Sequence, residues 1–273
     1  MNIARRYFSK FVEKCPIEIG CECNILRELP KDKPIDFDKN LNGTSVIPWK
    51  HLLILSHGFK SADEWPSKLE LLPNSLTNEM DLLKRKVVSP FHPIMISNAI
   101  LPNMTPGTKE MVYLYPDNKM IEFDIKDTKD FMHTYLVPLE EEMAQHESVY
   151  NPFKKTEAIT REKKNIDFKE QDIKKDLILV CGHTQRDIRC GKIAPILVEQ
   201  FNKTLKERRL DVDVGIVSHI GGHAYAGNVI YFPLDKTKKS IWYGRVFPEK
   251  VAGIIDETVI GGKIIKELYR GEV

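Results

Sequence analysis

Two short apolar blocks constrain this chain more than any other feature: LILSHG at residues 53–58 and LILVCG at residues 177–182. The second is an unbroken apolar run closed by a glycine, the pattern of a strand buried on both faces, and the first starts with the same apolar residues and also ends on a glycine. The segments downstream of the two blocks are also alike. After the second, Ile193, Ile196, Leu197, Phe201 and Leu205 keep helical spacing, with Pro195 acceptable in a first turn. Strands are then expected at 212–218, 228–233 and 241–246, the last two joined by a polar turn at 235–240, before a helix that starts near Pro248. After the first block come helical pieces at 62–86 around Pro73, a strand at 93–98, a hairpin of 111–115 and 119–123 across Pro116, Asp117 and Asn118, and a helix at 127–136. Strand, helix, strand, hairpin, helix is the order of a thioredoxin-like core. The expected class is therefore α/β (α+β), with two tandem thioredoxin-like domains.

Residues 151–175 separate the two patterns; more than half of them are charged and their apolar periodicity is weak. The expected division is a basic leader at 1–25, a first domain at 26–150, a charged connector at 151–175 and a second domain at 176–273. Overlaying the two blocks sets His57 opposite Cys181 and Pro66 opposite Cys190. This is what a duplication looks like if its first copy has lost the second copy's ligands, although buried strands resemble one another and coincidence stays open.

Composition excludes several classes. With 273 residues and 42% hydrophobic side chains the chain can bury a real core, and 41 Lys+Arg against 39 Asp+Glu is too balanced for a protein that coats nucleic acid. No apolar run approaches the roughly 20 residues that span a bilayer. The first twelve residues carry Arg5, Arg6 and Lys10 and no acidic residue, and Ile3, Tyr7, Phe8 and Phe11 share one side of a helix. That suits a mitochondrial presequence, or equally an amphipathic helix docked on the protein's own body. A mitochondrial location is expected, with the cytoplasm as the alternative.

Five cysteines is an odd number and too few for a disulfide scaffold. Cys15, Cys21 and Cys23 lie together at the front, either as redox thiols or as a structural set. Cys181 ends the 176–181 strand and Cys190 precedes the helix, with GHTQRDIR between them. His219 and His223 bracket Ile220, Gly221 and Gly222 directly after the 212–218 strand. In a thioredoxin-like sheet these two loops share one edge, so four soft or borderline donors converge there. A single zinc usually takes cysteines two to four residues apart, whereas eight intervening residues suit a loop wrapped around something larger, such as a 2Fe-2S rhomb. Zinc remains the alternative cofactor. The two glycines let the backbone approach closely and offer N–H groups, and they argue against the helical His-x-x-x-His of zinc proteases. His183, Arg186 and Arg245 are candidates to support the site from behind, with Asp187 as a partner for Arg186.

CGHTQRDIRC (181–190), SHIGGHAYAGNVIYFP (218–233) and WYGRV (242–246), with HLLILSHGF and WPSKLE in the front half, resemble the sucrase/ferredoxin-like family, and within it the fungal altered-inheritance-of-mitochondria branch. The resemblance implies that the C-terminal domain is a thioredoxin-like ferredoxin, with a 2Fe-2S cluster on Cys181, Cys190, His219 and His223, in mitochondria. It supplies no reaction. An electron carrier is expected rather than a stand-alone enzyme, with redox proteins and a second copy of the chain as partners. A thiol-disulfide oxidoreductase or switch using Cys181 and Cys190, and a structural zinc module, are the competing functions.

Overall fold

The computed structural model describes residues 10–17, 25–55, 58–102, 107–138 and 168–273. These form two compact units: Ile47–Lys174, and a second in which the described residues up to Val46 join Lys175–Glu272. The chain enters the second unit through a short strand, β1 (Lys10–Val12).

In the first unit, β2 (Lys50–Ile54) leads through two single 3-10 turns to α1 (Leu76–Val87), and then to β3 (Ile94–Ile100), β4 (Glu110–Tyr115), β5 (Lys119–Phe123) and α2 (Thr128–Tyr135). β2 runs parallel to β3 and antiparallel to β4, and β4 is antiparallel to β5. The edge strand β6 (Lys169–Asp172) adds to β5. Ser75 starts α1 by accepting the Asn78 N–H on its hydroxyl, and Lys84, Arg85 and Lys86 in the last turn complement the helix dipole. Leu52, Met80, Leu114 and Phe131 are fully buried, and Phe131 stacks on Phe123 with centroids 4.3 Å apart. Burial of this kind is the main force holding such a unit together.

The second unit repeats the plan. β7 (Asp176–Cys181), α3 (Ile188–Arg208), β8 (Val212–Val217), β9 (Val229–Phe232), β10 (Ile241–Tyr243) and α4 (Val251–Ile254) come in that order, and α4 continues as a π-helical turn, Ile255–Ile260. β7 is parallel to β8 and antiparallel to β9, which pairs with β10. After β11 (Lys263–Ile265), which pairs in parallel with β1, the strand β12 (Tyr269–Glu272) covers β10. The sheet orders β3-β2-β4-β5-β6 and β8-β7-β9-β10-β12 match strand for strand. Both are the thioredoxin-like order with one strand added at the same edge, so the expected fold class holds.

Several details differ from expectation. α3 starts earlier than the apolar spacing suggests, because the Asp187 carboxylate accepts the Arg189 N–H and caps it. Pro195 therefore sits in the second turn of α3, where its missing N–H leaves the Gly191 carbonyl without its usual helical donor. β10 stops at Tyr243 because Arg245 takes a left-handed φ of 56°. Pro66 lies in the connection before α1, so it does not stand where Cys190 stands in α3. The end of the expected connector is β6, missed because all four of its residues are exposed and carry no apolar alternation.

The boundary expected at residue 26 falls instead at Ile47, since side chains of the second unit hold the 33–45 backbone. Residues 10–12 form strand rather than helix because Lys10, Phe11 and Val12 pair with Lys263, Ile264 and Ile265. The rest of the leader helix, and His57, lie outside the described residues.

Candidate functional site

Cys181 is the last residue of β7 and faces Val217, the last residue of β8, across a parallel pair. Parallel strands end on the same side, so the 182–187 loop and the segment after Val217 leave from one edge, as loops at the carboxyl ends of parallel strands must. Cys190 lies in the first turn of α3, and both thiols are buried. The Cys190 thiol donates to the Cys181 sulfur, and the His219 ring also hydrogen-bonds that sulfur. The His219 and His223 rings lie 5.5 Å apart, centroid to centroid. The four side chains singled out in the sequence are therefore neighbours.

Their electrostatics are unequal. The hydrogen bond from Cys190 is the main influence holding Cys181 well below the usual thiol range; burial opposes it, while His219 and the Ile220 N–H add to it. Cys190 is pushed up by keeping the shared proton and by burial. One sulfur is thus poised as thiolate and the other as its donor.

The surrounding loops fix this arrangement. His183 is buried, and its Nδ1 accepts the His219 N–H at 3.3 Å, which puts its own proton on Nε2. Gly221 and Gly222 have φ of 79° and 75°, as the sequence suggested. A Cβ on Gly221 would meet nothing within 4 Å, whereas one on Gly222 would come 2.4 Å from Arg270 Nη2, so only glycine fits there. Arg186 is exposed. Asp187 pairs not with Arg186 but with Arg189, through two hydrogen bonds of 2.9 and 2.8 Å. Burial pushes the Asp187 carboxyl up, yet the guanidinium and the Arg189 N–H bring it below its ordinary value.

Three arginines bind a strap formed by residues 33–45. Arg189 Nη1 donates to the Pro34 carbonyl at 2.8 Å. Arg245 reaches the Asp36 and Lys39 carbonyls at 2.6 and 2.7 Å, so its role is to hold the strap. Arg270 donates to the Thr44 carbonyl at 2.7 Å. The Asp36 N–H adds a bond to the Ala224 carbonyl, next to His223. Arg189, Arg270 and Asn228 were not singled out in the sequence. Arg270 lies among strand residues with no local motif, and only folding brings it to the site.

Of the two readings of the front thiols, Cys15 suits the structural one. It is buried, donates to the Pro16 and Lys250 carbonyls at 3.4 Å, and burial pushes it up to about 12. That favours an inert thiol. Cys21 and Cys23 lie outside the described residues. Among the described residues, no three His, Cys, Asp or Glu side chains gather closely enough to hold a metal ion. No helix among them is long and apolar enough to cross a membrane.

By its fold this is a thioredoxin-like protein, with two thiols and two imidazoles at the end of the parallel strand pair in its second unit. The chain belongs to the sucrase/ferredoxin-like family, whose model matches residues 41–271. It is 88% identical to a protein of Debaryomyces hansenii named altered inheritance of mitochondria protein 32, over all of both chains. It is 48% identical to a protein of that name from Clavispora lusitaniae, over 98% of this chain and 97% of the relative. Among solved structures, a thioredoxin-like 2Fe-2S ferredoxin from Aquifex aeolicus matches 36% of this chain and 89% of its own, at 16% identity and a TM-score of 0.29. That value is too low to bear on function.

Proposed function

We propose that the chain is a one-electron carrier of mitochondria that holds a 2Fe-2S cluster on Cys181, Cys190, His219 and His223. The carrying observation is the meeting of two buried thiols with the His219 ring, and of that ring with His223, at one sheet edge. The donor set fits such a group: thiolate and imidazole are both iron ligands, and each iron of a rhomb asks the protein for only two. This demand is less than the three-donor nest that a single ion needs. The open side of Gly221 leaves room next to the histidines. The relatives' names support the location.

A bound cluster would supply reversible one-electron chemistry, at a potential above that of an all-cysteine ferredoxin because two ligands are neutral imidazoles. The chain's own residues do the rest. Cys181 presents a thiolate, with the Cys190 proton as the one to be displaced on binding. His183 orients the His219 backbone, and the strap bound by Arg189, Arg245 and Arg270 ties residues 33–45 to the site's own unit. Electrons would come from a reduced protein partner and pass to an oxidised one.

Electron paramagnetic resonance of the dithionite-reduced protein, with iron and sulfide analysis, tests the reading. A rhombic signal of low average g-value is expected, as mixed nitrogen and sulfur ligation requires. Colourless protein that carries one zinc and takes up no iron on reconstitution would remove it.

The hydrogen bond between the two thiols also favours a second reading, a dithiol switch in the cluster-free protein. Cys181 thiolate would attack a partner disulfide, and Cys190 would then resolve the mixed disulfide, leaving the partner with two thiols and this chain with an S–S bond. Reduction of a disulfide substrate by cluster-free protein, lost in Cys190→Ser, is its test.

A further inference from the structure

The three arginines of the strap differ in one respect. Arg189 has Asp187 as a carboxylate partner at 2.8 Å, and Arg245 has Asp36 at 3.7 Å. Arg270, only 1% exposed, has none among the described residues. Its acceptors are the Asn228 side-chain oxygen at 2.7 Å, the Gly221 carbonyl at 3.3 Å, and the Thr44 carbonyl and hydroxyl at 2.7 and 3.2 Å, all neutral. Its guanidinium also lies 5.9 Å from the ring centres of Tyr225 and Trp242. A buried cation without a counter-ion is strongly unfavourable, and arginine does not shed its proton to escape the cost. Negative charge brought close to it is therefore favoured.

The structure shows where. Asn228, which holds Arg270 Nη1, accepts the Cys181 N–H on its own carbonyl at 2.9 Å and donates its side-chain amide to the Gly222 carbonyl at 2.9 Å. One residue thus joins the guanidinium, the thiol-bearing strand end and the loop between the two histidines. Arg270 Nη1 also grips that loop directly at Gly221. The Cys181 sulfur, the Tyr225 hydroxyl and the Cys190 sulfur all act on the guanidinium, and their attraction offsets part of the burial that acts on Arg270.

We infer that Arg270 is the counter-charge of the cluster pocket: a positioning residue that stabilises the more negative reduced state and locks the 219–223 loop to the strap. This rests on the electron-carrier reading. With two thiolates the oxidised centre is neutral overall, and one added electron makes it negative. A fixed buried cation favours that electron, so its loss must lower the potential.

The experiment uses the full chain with its cluster, in wild type and three variants. Arg270→Gln removes the charge, Arg270→Lys keeps the charge but not the planar fork, and Asn228→Asp leaves the arginine and sets a carboxylate against it. Spectroelectrochemical titration should show the midpoint shifted to more negative values in Arg270→Gln and Asn228→Asp, and little moved in Arg270→Lys. Limited proteolysis within residues 33–45 should speed up in both Arg270 variants, since lysine cannot replace three donating nitrogens. An unmoved midpoint in Arg270→Gln and Asn228→Asp would overturn the inference, as would an Arg270→Lys shift equal to that of Arg270→Gln. Should Arg270→Gln fail to fold, Asn228→Asp carries the test. Wild type without iron would instead overturn the electron-carrier reading itself.

Discussion

The two units share a strand order and spend it differently. In the second, the passage from the first strand to its helix takes only residues 182–187, so Cys181 and Cys190 are held close, and the passage after β8 returns two histidines to the same edge. In the first, residues 55–75 separate β2 from α1, and the middle of β3 carries Ser97 and Asn98, buried and hydrogen-bonded to His51 and Thr77. A short crossover concentrates donors, and a long one disperses them. One sheet topology thus carries a thiol- and imidazole-rich edge in one unit and, among the described residues, no such edge in the other, and the difference lies in its loops.

The sharpest way to break this comparison is Cys181→Ser. Loss of the reduced-state paramagnetic signal and of bound iron is expected, while no single substitution in the first unit should abolish both in folded protein. Next in size, Phe131→Ala removes a fully buried ring from the first unit and should cost about 3–5 kcal/mol of stability in denaturant titration. The iron content of the remaining folded protein should be unchanged.

A smaller effect concerns pH. Burial pushes the His51 ring down to about 3 from an ordinary 6.5. Between those values the unfolded chain binds a proton that the folded one does not, so stability rises with pH there and falls on acidification below 6.5. From pH 7 to pH 5 the loss should be on the order of 2 kcal/mol, and His51→Gln should flatten the dependence of the urea midpoint on pH. Smallest of all, Cys15→Ala should cost about 1 kcal/mol and leave the cluster signal unchanged. In the native protein Cys15 should resist alkylation at pH 8; rapid labelling would show that its burial does not protect it.

Much of this architecture could be read from residue order. The strand at 176–181 was legible to the residue, because a continuous apolar run between charge and glycine has few other uses. The hairpin across Pro116, Asp117 and Asn118 was equally plain, since Asn118 takes the left-handed conformation that such turns require. Less visible were β6, whose residues are all exposed, and β1, three residues that become a strand only by pairing with a partner more than 250 positions away. Cys15 looked like one of a set of front thiols, yet contacts with Lys250 make it a buried structural group.

The sequence by itself determined the candidate donors: two cysteines and two histidines, placed at or after the ends of strands that the apolar pattern marks, with glycines that free the loop between the histidines. Local spacing carries that information because strand ends and loops are short-range features. The tertiary structure alone decided what surrounds those donors. Arg270, Asn228 and Thr44 are far apart in the chain and neither Arg270 nor Thr44 belongs to a motif, so only the closing of β12 onto β10, with the strap over residues 221–228, could gather them. Charge balance inside a protein depends on distance in space, and linear order does not record it.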